Sequence, residues 1–366
     1  MNLKSYRLTM EIKSPMITPF QADTIFGHFS WALKYLEGEE KLEEFLDNLE
    51  INSSLILISN GFPQGFLPRP ILKPLSEKDT ETLTDDYFSK DTKNKIRCLV
   101  ALKELKKQSH LSWDIFRELK GNLTYFELYK KVFEGAYCPF WFRKKPCDLN
   151  NIIEECPRLN PDSTQRCESI SLDKTSELVM HNTINRNAGR VKGTGGLFSE
   201  IETYYYPHSK IEIYLRNESF TLAELQKIFQ FIAKNGYGKD KSIGKGNLGF
   251  LELVKFEEHD FGEPADSNGF MSLSSFVPKN NDPINGYYEI ITKYGKLGGD
   301  FAKSGFDGKD LHPFKKPLIM FKAGSTFYVS KDDDPKFYYG RLLQNIHRSE
   351  KIKHYGYAFP LKIRME

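Results

Sequence analysis

Residues 235–250, NGYGKDKSIGKGNLGF, form a glycine-rich stretch that holds five glycines and three lysines. Glycine has no Cβ, so neighbouring backbone N–H groups can converge on an anion, and lysines close by add positive charge. The stretch therefore predicts an anion-binding loop. Its candidate contacts are Gly236, Gly238, Lys239, Lys241, Ser242, Gly244, Lys245, Gly246 and Gly249.

Two nucleotide-binding motifs resemble this stretch, and neither fits it. Residues 244–249 match GxGxxG, but that fingerprint needs a strand before it and a helix after it, and the pattern here predicts the reverse order. A P-loop needs four residues before its Gly-Lys pair and Ser or Thr after it; here five residues separate Gly238 from Gly244, and Gly246 follows Lys245. A long, irregular polyanion such as single-stranded RNA suits the loop better. The alternative is a solvated connection whose lysines aid solubility.

A second basic segment covers residues 181–207, HNTINRNAGRVKGTGGLFSEIETYYYP. It carries Arg186, Arg190 and Lys192 with no acidic residue before Glu200, and strand-forming residues follow its glycine-rich centre. These features predict a projecting β-hairpin whose basic arm, with His181 at its start, contacts RNA. Its tyrosines at 204–206 either stack on unpaired bases or pack on their own domain, and the packed arrangement is favoured.

The rest of the composition limits the function classes. A formal charge of +3 does not diagnose nucleic-acid binding, so local clusters must carry the argument. No apolar run reaches the roughly 18 to 20 residues that span a bilayer, and the N-terminal pattern lacks a signal-peptide core, which predicts a cytoplasmic protein.

Metal and disulfide chemistry are not expected. The cysteines contain no CxxC pair, and their spacing is irregular: Cys98, Cys138, Cys147, Cys156 and Cys167. Three consecutive carboxylates at residues 332–334 are typical of a solvated acidic turn. We therefore expect neither a metal nor another cofactor.

The elements that must position these segments follow from hydrophobic periodicity. The first 258 residues predict the order strand, helix, strand, strand, helix, strand, which is the ferredoxin-like (RRM-type) order, interrupted by an insertion at about residues 75–207. Asp23 or Thr24 is expected to cap the first helix, and Thr221 with Glu224 forms a capping box on the second. The predicted strands are 6–12, 53–59, 209–215 and 250–258, and the predicted helices of the insertion lie near 94–108, 113–120 and 125–133.

Residues 259–366 are richer in strand patterns, with one helix predicted near residues 338–346. They indicate a second, related domain. The predicted fold class is α+β: two ferredoxin-like (RRM-type) domains, 1–258 and 259–366, with a helical insertion and a protruding β-hairpin thumb at about residues 180–206.

The sequence also resembles a known family. GKDKSIGKGNLGF at the end of a ferredoxin-like unit is similar to the glycine-rich loop of the RAMP superfamily of CRISPR proteins. Further segments, in order over nearly the whole chain, resemble subunit four of the type III-A CRISPR-Cas Csm effector complex: ITPFQADTIFGHFSWAL, GFLPRPILK, HNTINR, YYEIITKYGKLGG, FKKPLIMFKAGS and YGYAFPLKIR. The helical segment from about residue 79 to 166 does not align with the family pattern, and its role stays open.

The resemblance implies a non-catalytic RNA-binding subunit in a ribonucleoprotein of antiviral defence. It would cap the 5′ handle of the crRNA and contact the large polymerase-type subunit and the backbone subunit of the Csm complex. The glycine-rich loop would hold handle phosphates. The thumb would present His181, Asn182, Thr183, Arg186, Arg190 and Lys192 to RNA, and the first helix would present Gln21, Asp23, Thr24 and His28.

An alternative from another class is a RAMP-type endoribonuclease that processes CRISPR repeat RNA. His28, His181 and Tyr237 are its candidate catalytic residues, because histidine transfers protons near neutral pH. The sequence places no two of them as an evident acid and base, which favours binding without cleavage.

Overall fold

The computed structural model describes residues 3–51, 53, 55–88, 91–145, 147–165, 167, 174–185, 190–191, 196–262, 264, 266–302, 313–330 and 336–366. The helices of these residues are α1 (Ala22–Glu37), α2 (Glu39–Glu50), α3 (Glu77–Tyr87), α4 (Thr92–Lys106), α5 (Trp113–Leu119), α6 (Tyr125–Phe133), α7 (Ile152–Glu155) and α8 (Leu222–Asn235). The strands up to the end of the first sheet are β1 (Lys4–Ile12), β2 (Ile56–Ile58), β3 (Phe62–Pro63), β4 (Phe66–Pro68), β5 (His110–Ser112), β6 (Tyr137–Cys138), β7 (Arg143–Lys144), β8 (Lys174–Asn182), β9 (Ile184–Asn185), β10 (Arg190–Val191), β11 (Leu197–Tyr205), β12 (Lys210–Asn217) and β13 (Leu248–Lys255). The later strands are β14 (Gly269–Ser272), β15 (Gly286–Tyr287), β16 (Ile290–Lys293), β17 (Leu318–Phe321), β18 (Thr326–Tyr328), β19 (Tyr339–Leu343), β20 (His354–Ala358) and β21 (Pro360–Ile363).

The first sheet is antiparallel and has the order β13-β1-β12-β2, with β3 also paired to β12. In sequence order these are the fourth, first, third and second strands of a ferredoxin-like unit, whose two helices are α1 and α8. Leu8 on the central strand pairs with Ile213 on one side and Leu253 on the other, and all three are buried. The predicted order of strands and helices in this part of the chain is confirmed.

The two helices begin in different ways. The capping box of α8 forms as predicted: Thr221 N–H donates to Glu224 Oε2 at 2.7 Å, and the Thr221 side chain accepts the Glu224 N–H. The prediction that Asp23 or Thr24 caps α1 is wrong. The N-cap residue is Gln21 without a capping side chain, and Asn60 Oδ1, from the loop after β2, accepts the Ala22 N–H at 2.9 Å instead.

The helical insertion packs on the first sheet. Ile213 lies against α1 and α8, so the next residue on β12, Tyr214, points to the opposite face of the sheet. On that face Trp113 Nε1 donates to the Tyr214 hydroxyl at 2.5 Å. Trp113 and Tyr214 form an aromatic cluster with Phe256 and Phe261, with ring centroids 4.7 to 6.0 Å apart. All four rings are buried, so the insertion and the segment after β13 cover this face.

The C-terminal part contains a four-stranded antiparallel sheet, β15-β18-β14-β21, and the hairpins β16–β17 and β19–β20. The helix predicted near residues 338–346 is wrong. Residues there form β19, which pairs with β20. Gly340 has φ +82°, and a Cβ there would lie 2.2 Å from the Gly356 carbonyl oxygen. The described residues after 266 contain one short 3₁₀ turn, Gly299–Ala302, and no α-helix. The second ferredoxin-like unit is therefore not confirmed, although the fold class is α+β.

One hydrophobic cluster runs through both parts of the chain. It joins the first sheet and α1 to buried residues of the C-terminal strands such as Tyr355, Tyr357 and Leu361. The Tyr355 hydroxyl accepts the Ile58 N–H at 2.8 Å, which ties β20 to β2. Within the described part of the chain, every helix is too short or too polar to cross a bilayer.

Candidate nucleic-acid interface

The glycine-rich loop connects α8 to β13 and is closed by its own backbone. Tyr237 N–H donates to the Gly246 carbonyl at 2.8 Å, and Gly246 N–H donates to the Pro15 carbonyl at 2.9 Å. Asn247 N–H donates to Ser14 Oγ at 2.8 Å. The two ends of the loop are thus fixed on the segment that follows β1.

Two of its glycines are required by close packing. Gly238 has φ +77°, and a Cβ there would lie 2.5 Å from the Thr18 Cβ. Gly246 has φ +64°, and a Cβ there would lie 1.9 Å from the Tyr237 carbonyl oxygen. Both positions combine left-handed backbone with contact distances that exclude a side chain. These glycines shape the loop, whatever it binds.

The inner amides of the loop already have protein partners. Gly238 N–H donates to His28 Nε2 at 2.9 Å, and Lys239 N–H donates to Thr18 Oγ1 at 2.9 Å. These two amides are therefore not available to an anion in this conformation. An anion would have to contact other groups of the loop. No local pattern indicates Thr18 as a partner, because it lies in a proline-rich segment far away in the chain.

The outer turn of the loop, residues 240–244, faces solvent. Its 3₁₀ turn, Lys241–Ile243, is exposed, and Asp240 and Gly244 have φ +59° and +92°. Nothing lies within 4 Å of a Cβ built on Gly244. Lys241 forms no ion pair with any described residue, and Ser242 beside it is exposed. A polyanion can therefore reach this turn.

The predicted hairpin lies against the loop. β8 and β11 pair antiparallel from Asn182↔Leu197 to Lys174↔Tyr205, which confirms a long two-stranded hairpin. Lys245 Nζ lies 2.5 Å from Glu202 Oε2, and Lys239 Nζ is ion-paired with Glu200. The structure thus places these two loop lysines on the carboxylates of β11. In the sequence, Glu200 is distinguished only as the first acidic residue after the basic arm.

The remaining thumb residues are placed as follows. His181 stacks on Phe198, with ring centroids 5.3 Å apart, and its Nε2 lies 3.7 Å from Glu202 Oε1. Asn182 is exposed at the end of β8, and Thr183 N–H donates to the Gly196 carbonyl at 2.6 Å. Arg190 belongs to β10, which pairs with β9, and only its backbone is described. Arg186 and Lys192 lie outside the described residues.

The three tyrosines do not form one platform. Tyr205 is partly buried against the hydrophobic core, as the packed alternative predicts. The Tyr204 hydroxyl donates to Glu202 Oε2 at 2.8 Å, and Tyr206 is half exposed. The face of the first sheet on which RRM proteins stack bases is covered by the insertion, so base stacking on that sheet is excluded here.

The first-helix candidates divide into two groups. His28 belongs to the loop, where its ring also stacks on Tyr237 with centroids 4.7 Å apart. Lys293 Nζ, from β16, is bound by three side chains: it lies 3.0 Å from an Asp23 oxygen, 3.3 Å from the Thr24 hydroxyl and on the amide oxygen of Gln21. Through Lys293, these three residues connect α1 to the β16–β17 hairpin. Their predicted RNA role gains no support from this geometry.

The candidate catalytic residues are engaged in structural contacts. Burial, with a contribution from Lys241, lowers the pKa of His28 to about 4, and its Nε2 is occupied by the Gly238 amide. Tyr237 is buried, its hydroxyl donates to the Pro19 carbonyl at 2.9 Å, and burial raises its pKa well above the ordinary value. Neither group is placed as a proton-transfer catalyst for an RNA hydroxyl.

Comparison with known proteins gives a fold and no sequence family. No family model matches the chain, and no curated protein matches it. A chain of the crystal structure of the Csm3-Csm4 subcomplex in the type III-A CRISPR-Cas interference complex is similar, with a TM-score of 0.60, 16% sequence identity and 99% of each chain covered. A chain of the Csm1-Csm4 cassette in complex with cA4 is similar at a TM-score of 0.50 and 14% identity, again over 99% of each chain.

These solved structures contain subunits of the Csm complex, one of whose subunits the sequence resembles. The structural similarity extends over nearly the entire chain. At such low identity, the match concerns the fold. The chain has the fold of a subunit in type III-A Csm subcomplexes.

Proposed function

We propose that the chain is a non-catalytic RNA-binding subunit of a type III-A CRISPR effector complex. It caps the 5′ handle of the crRNA and joins the large polymerase-type subunit to the backbone filament, in a ribonucleoprotein that acts in the cytoplasm in antiviral defence. The observation that carries the proposal is the match of fold to a chain of the Csm3-Csm4 subcomplex over 99% of both chains. Residues 1–258 and 259–366 form its two domains.

The site geometry supports RNA binding at a specific place. The exposed outer turn with Lys241 and Ser242 follows and precedes the two lysines that contact β11, so it lies near the β8–β11 hairpin. In the sequence, the segment between these two strands carries Arg186, Arg190 and Lys192. Cationic groups in these two segments suit a single strand, whose phosphates are spaced along one path. Phosphate contacts of this kind set affinity and register, and base edges set sequence preference.

The contacts of the candidate catalytic residues favour binding over cleavage. An RNA-cleaving site needs a base that can reach the attacking 2′-hydroxyl, and His28 Nε2 already accepts a backbone N–H. The His181 ring lies between Phe198 and Glu202, where it supports the hairpin. No described pair of these residues is arranged as an acid and a base.

The test is to purify the chain together with the proteins encoded beside it, extract the bound RNA and sequence its 5′ ends. Labelled repeat RNA is incubated with the chain alone in parallel. The proposal predicts short RNAs that share one 5′ end, and intact repeat RNA. Cleavage that is lost in His28→Ala or His181→Ala would establish the endoribonuclease instead, and recovery of no RNA would contradict an RNA-binding role.

A further inference from the structure

Two carboxylates of β11 face two lysines of the glycine-rich loop. Glu200 and Glu202 are two residues apart on β11, so their side chains lie on one face of the hairpin. Lys239 and Lys245 reach them from the loop. These ion pairs connect positions 39 and 43 residues apart in the chain. Two contacts fix both the position and the direction of β11 relative to the loop.

Of the two ion pairs, Lys245–Glu202 is the more enclosed. The Glu202 side chain is 1% exposed and that of Lys245 is 23% exposed. Glu202 also accepts the Tyr204 hydroxyl and lies 3.7 Å from His181 Nε2, and Lys245 Nζ lies 6.0 Å from the Tyr204 ring centroid. The hydrogen bond from Lys245 lowers the pKa of Glu202, and the same bond raises the pKa of Lys245. Both groups are therefore charged at neutral pH.

A phosphate at Lys245 would disturb this arrangement. The ammonium group would have to leave Glu202, and a buried carboxylate without its cation is strongly unfavourable. A phosphate that approached without displacing it would meet the negative charges of Glu200 and Glu202. Lys241 lies on the exposed turn and has no described carboxylate partner, so it meets neither obstacle.

We propose that Lys239 and Lys245 are positioning residues that hold the thumb hairpin on the glycine-rich loop through Glu200 and Glu202, and that the phosphate contact of the loop is made by Lys241. This inference rests on the proposed function, because it divides the loop lysines of that RNA site between two tasks. The division reverses the simple expectation that every lysine of a glycine-rich loop binds phosphate.

Hydrogen exchange of the full-length protein tests the positioning role without RNA. Lys245→Met leaves Glu202 unpaired, and we expect the amides of β8 and β11 to exchange about tenfold faster, while β1 amides stay protected. Lys245→Met/Glu202→Gln removes both charges and keeps an acceptor for Tyr204, so exchange should be slower than in Lys245→Met, because no buried charge is left without its partner. Equal exchange in wild type and Lys245→Met, or no recovery in the double variant, would overturn the proposal. If Lys245→Met does not fold, the double variant is compared with Glu202→Gln instead. In Glu202→Gln it is Lys245 that lacks its partner.

RNA binding tests the other half of the proposal. With the RNA recovered from the purified complex as the probe, Lys241→Met should lower the slope of log K against log salt concentration by about 0.7, the value for one phosphate contact to a single strand. Lys245→Met/Glu202→Gln should keep the wild-type slope. A reduced slope in the double variant would assign Lys245 to phosphate and overturn the inference. Absence of RNA binding by the wild-type protein would contradict the proposed function. The hydrogen-exchange result would still hold, because that experiment uses no RNA.

Discussion

The backbone N–H of Gly238 donates a hydrogen bond to Nε2 of His28 at 2.9 Å, so the first helix and the glycine-rich loop are joined by a neutral imidazole. Because Nε2 is the acceptor, the ring proton is on Nδ1. Stacking on Tyr237 adds a second contact between the same two elements. His28 therefore acts as a structural bridge at the loop, where its type and position in the sequence suggested an RNA contact or a catalytic base.

This bridge predicts a pH dependence of stability. The pKa of His28 is about 4 in the folded protein and 6.5 as the ordinary value, so the unfolded state binds its proton first as the pH falls. Stability should decrease from about pH 6.5 to pH 4, with roughly 3 kcal/mol of the decrease due to His28. His110 and His354, with pKa values lowered by burial to about 4 and about 3, contribute in the same direction.

His28→Gln isolates the first contribution. The amide oxygen of glutamine can accept the Gly238 N–H, but it does not titrate. We expect urea unfolding across this pH range to show a shallower loss of stability in the variant than in the wild type. Identical pH profiles would show that His28 is protonated equally in both states, and the bridge would then not be a neutral one.

The glycines of the loop predict a contrast between two neighbouring positions. Gly246→Ala places a Cβ 1.9 Å from the Tyr237 carbonyl oxygen at a positive φ, and we expect a loss of at least about 3 kcal/mol in the free energy of unfolding. Gly244→Ala also has a positive φ but meets open space, and should lose about 1 kcal/mol. Equal losses in thermal or urea unfolding would contradict the close packing of Gly246.

How far the sequence predicts this loop depends on the range of each interaction. The capping box of α8 joins two residues that are only three positions apart, Thr221 and Glu224, and it is confirmed. Helix 125–133 matches its prediction as well, because four buried residues repeat on one face. The partners of the loop, Thr18, His28, Glu200 and Glu202, come from other elements, so no local pattern could indicate them.

The same reasoning explains the errors. Residues 338–346 contain good helix formers, but pairing with β20 and the left-handed Gly340 make a strand of the segment. Asp23 and Thr24 have the residue types of N-caps, but Asn60 caps the helix and Lys293 binds both side chains. Tertiary partners decided these positions, and one sequence does not reveal them.

The contact of Lys293 with Asp23 predicts a large effect of a single substitution. Asp23 is 6% exposed and His354 Nε2 is 3.9 Å away, so Lys293→Met leaves a buried carboxylate without its closest cation. We expect a loss of about 3 kcal/mol in the free energy of unfolding. Lys322→Met is the matched control, because its ion pair with Glu289 is half exposed and should contribute less than about 0.5 kcal/mol. Similar losses in both variants would contradict the role of Lys293 as an anchor between α1 and β16.

The most direct test of the account is the binding of the co-purified RNA species to the full-length protein with Lys241→Met, measured over a range of salt concentrations. Lys78→Met, an exposed lysine on α3, is the matched control. We predict that Lys241→Met weakens binding and lowers the salt slope by about 0.7, while the control keeps both wild-type values. Unchanged affinity and slope in Lys241→Met would show that RNA does not lie on the outer turn of the loop.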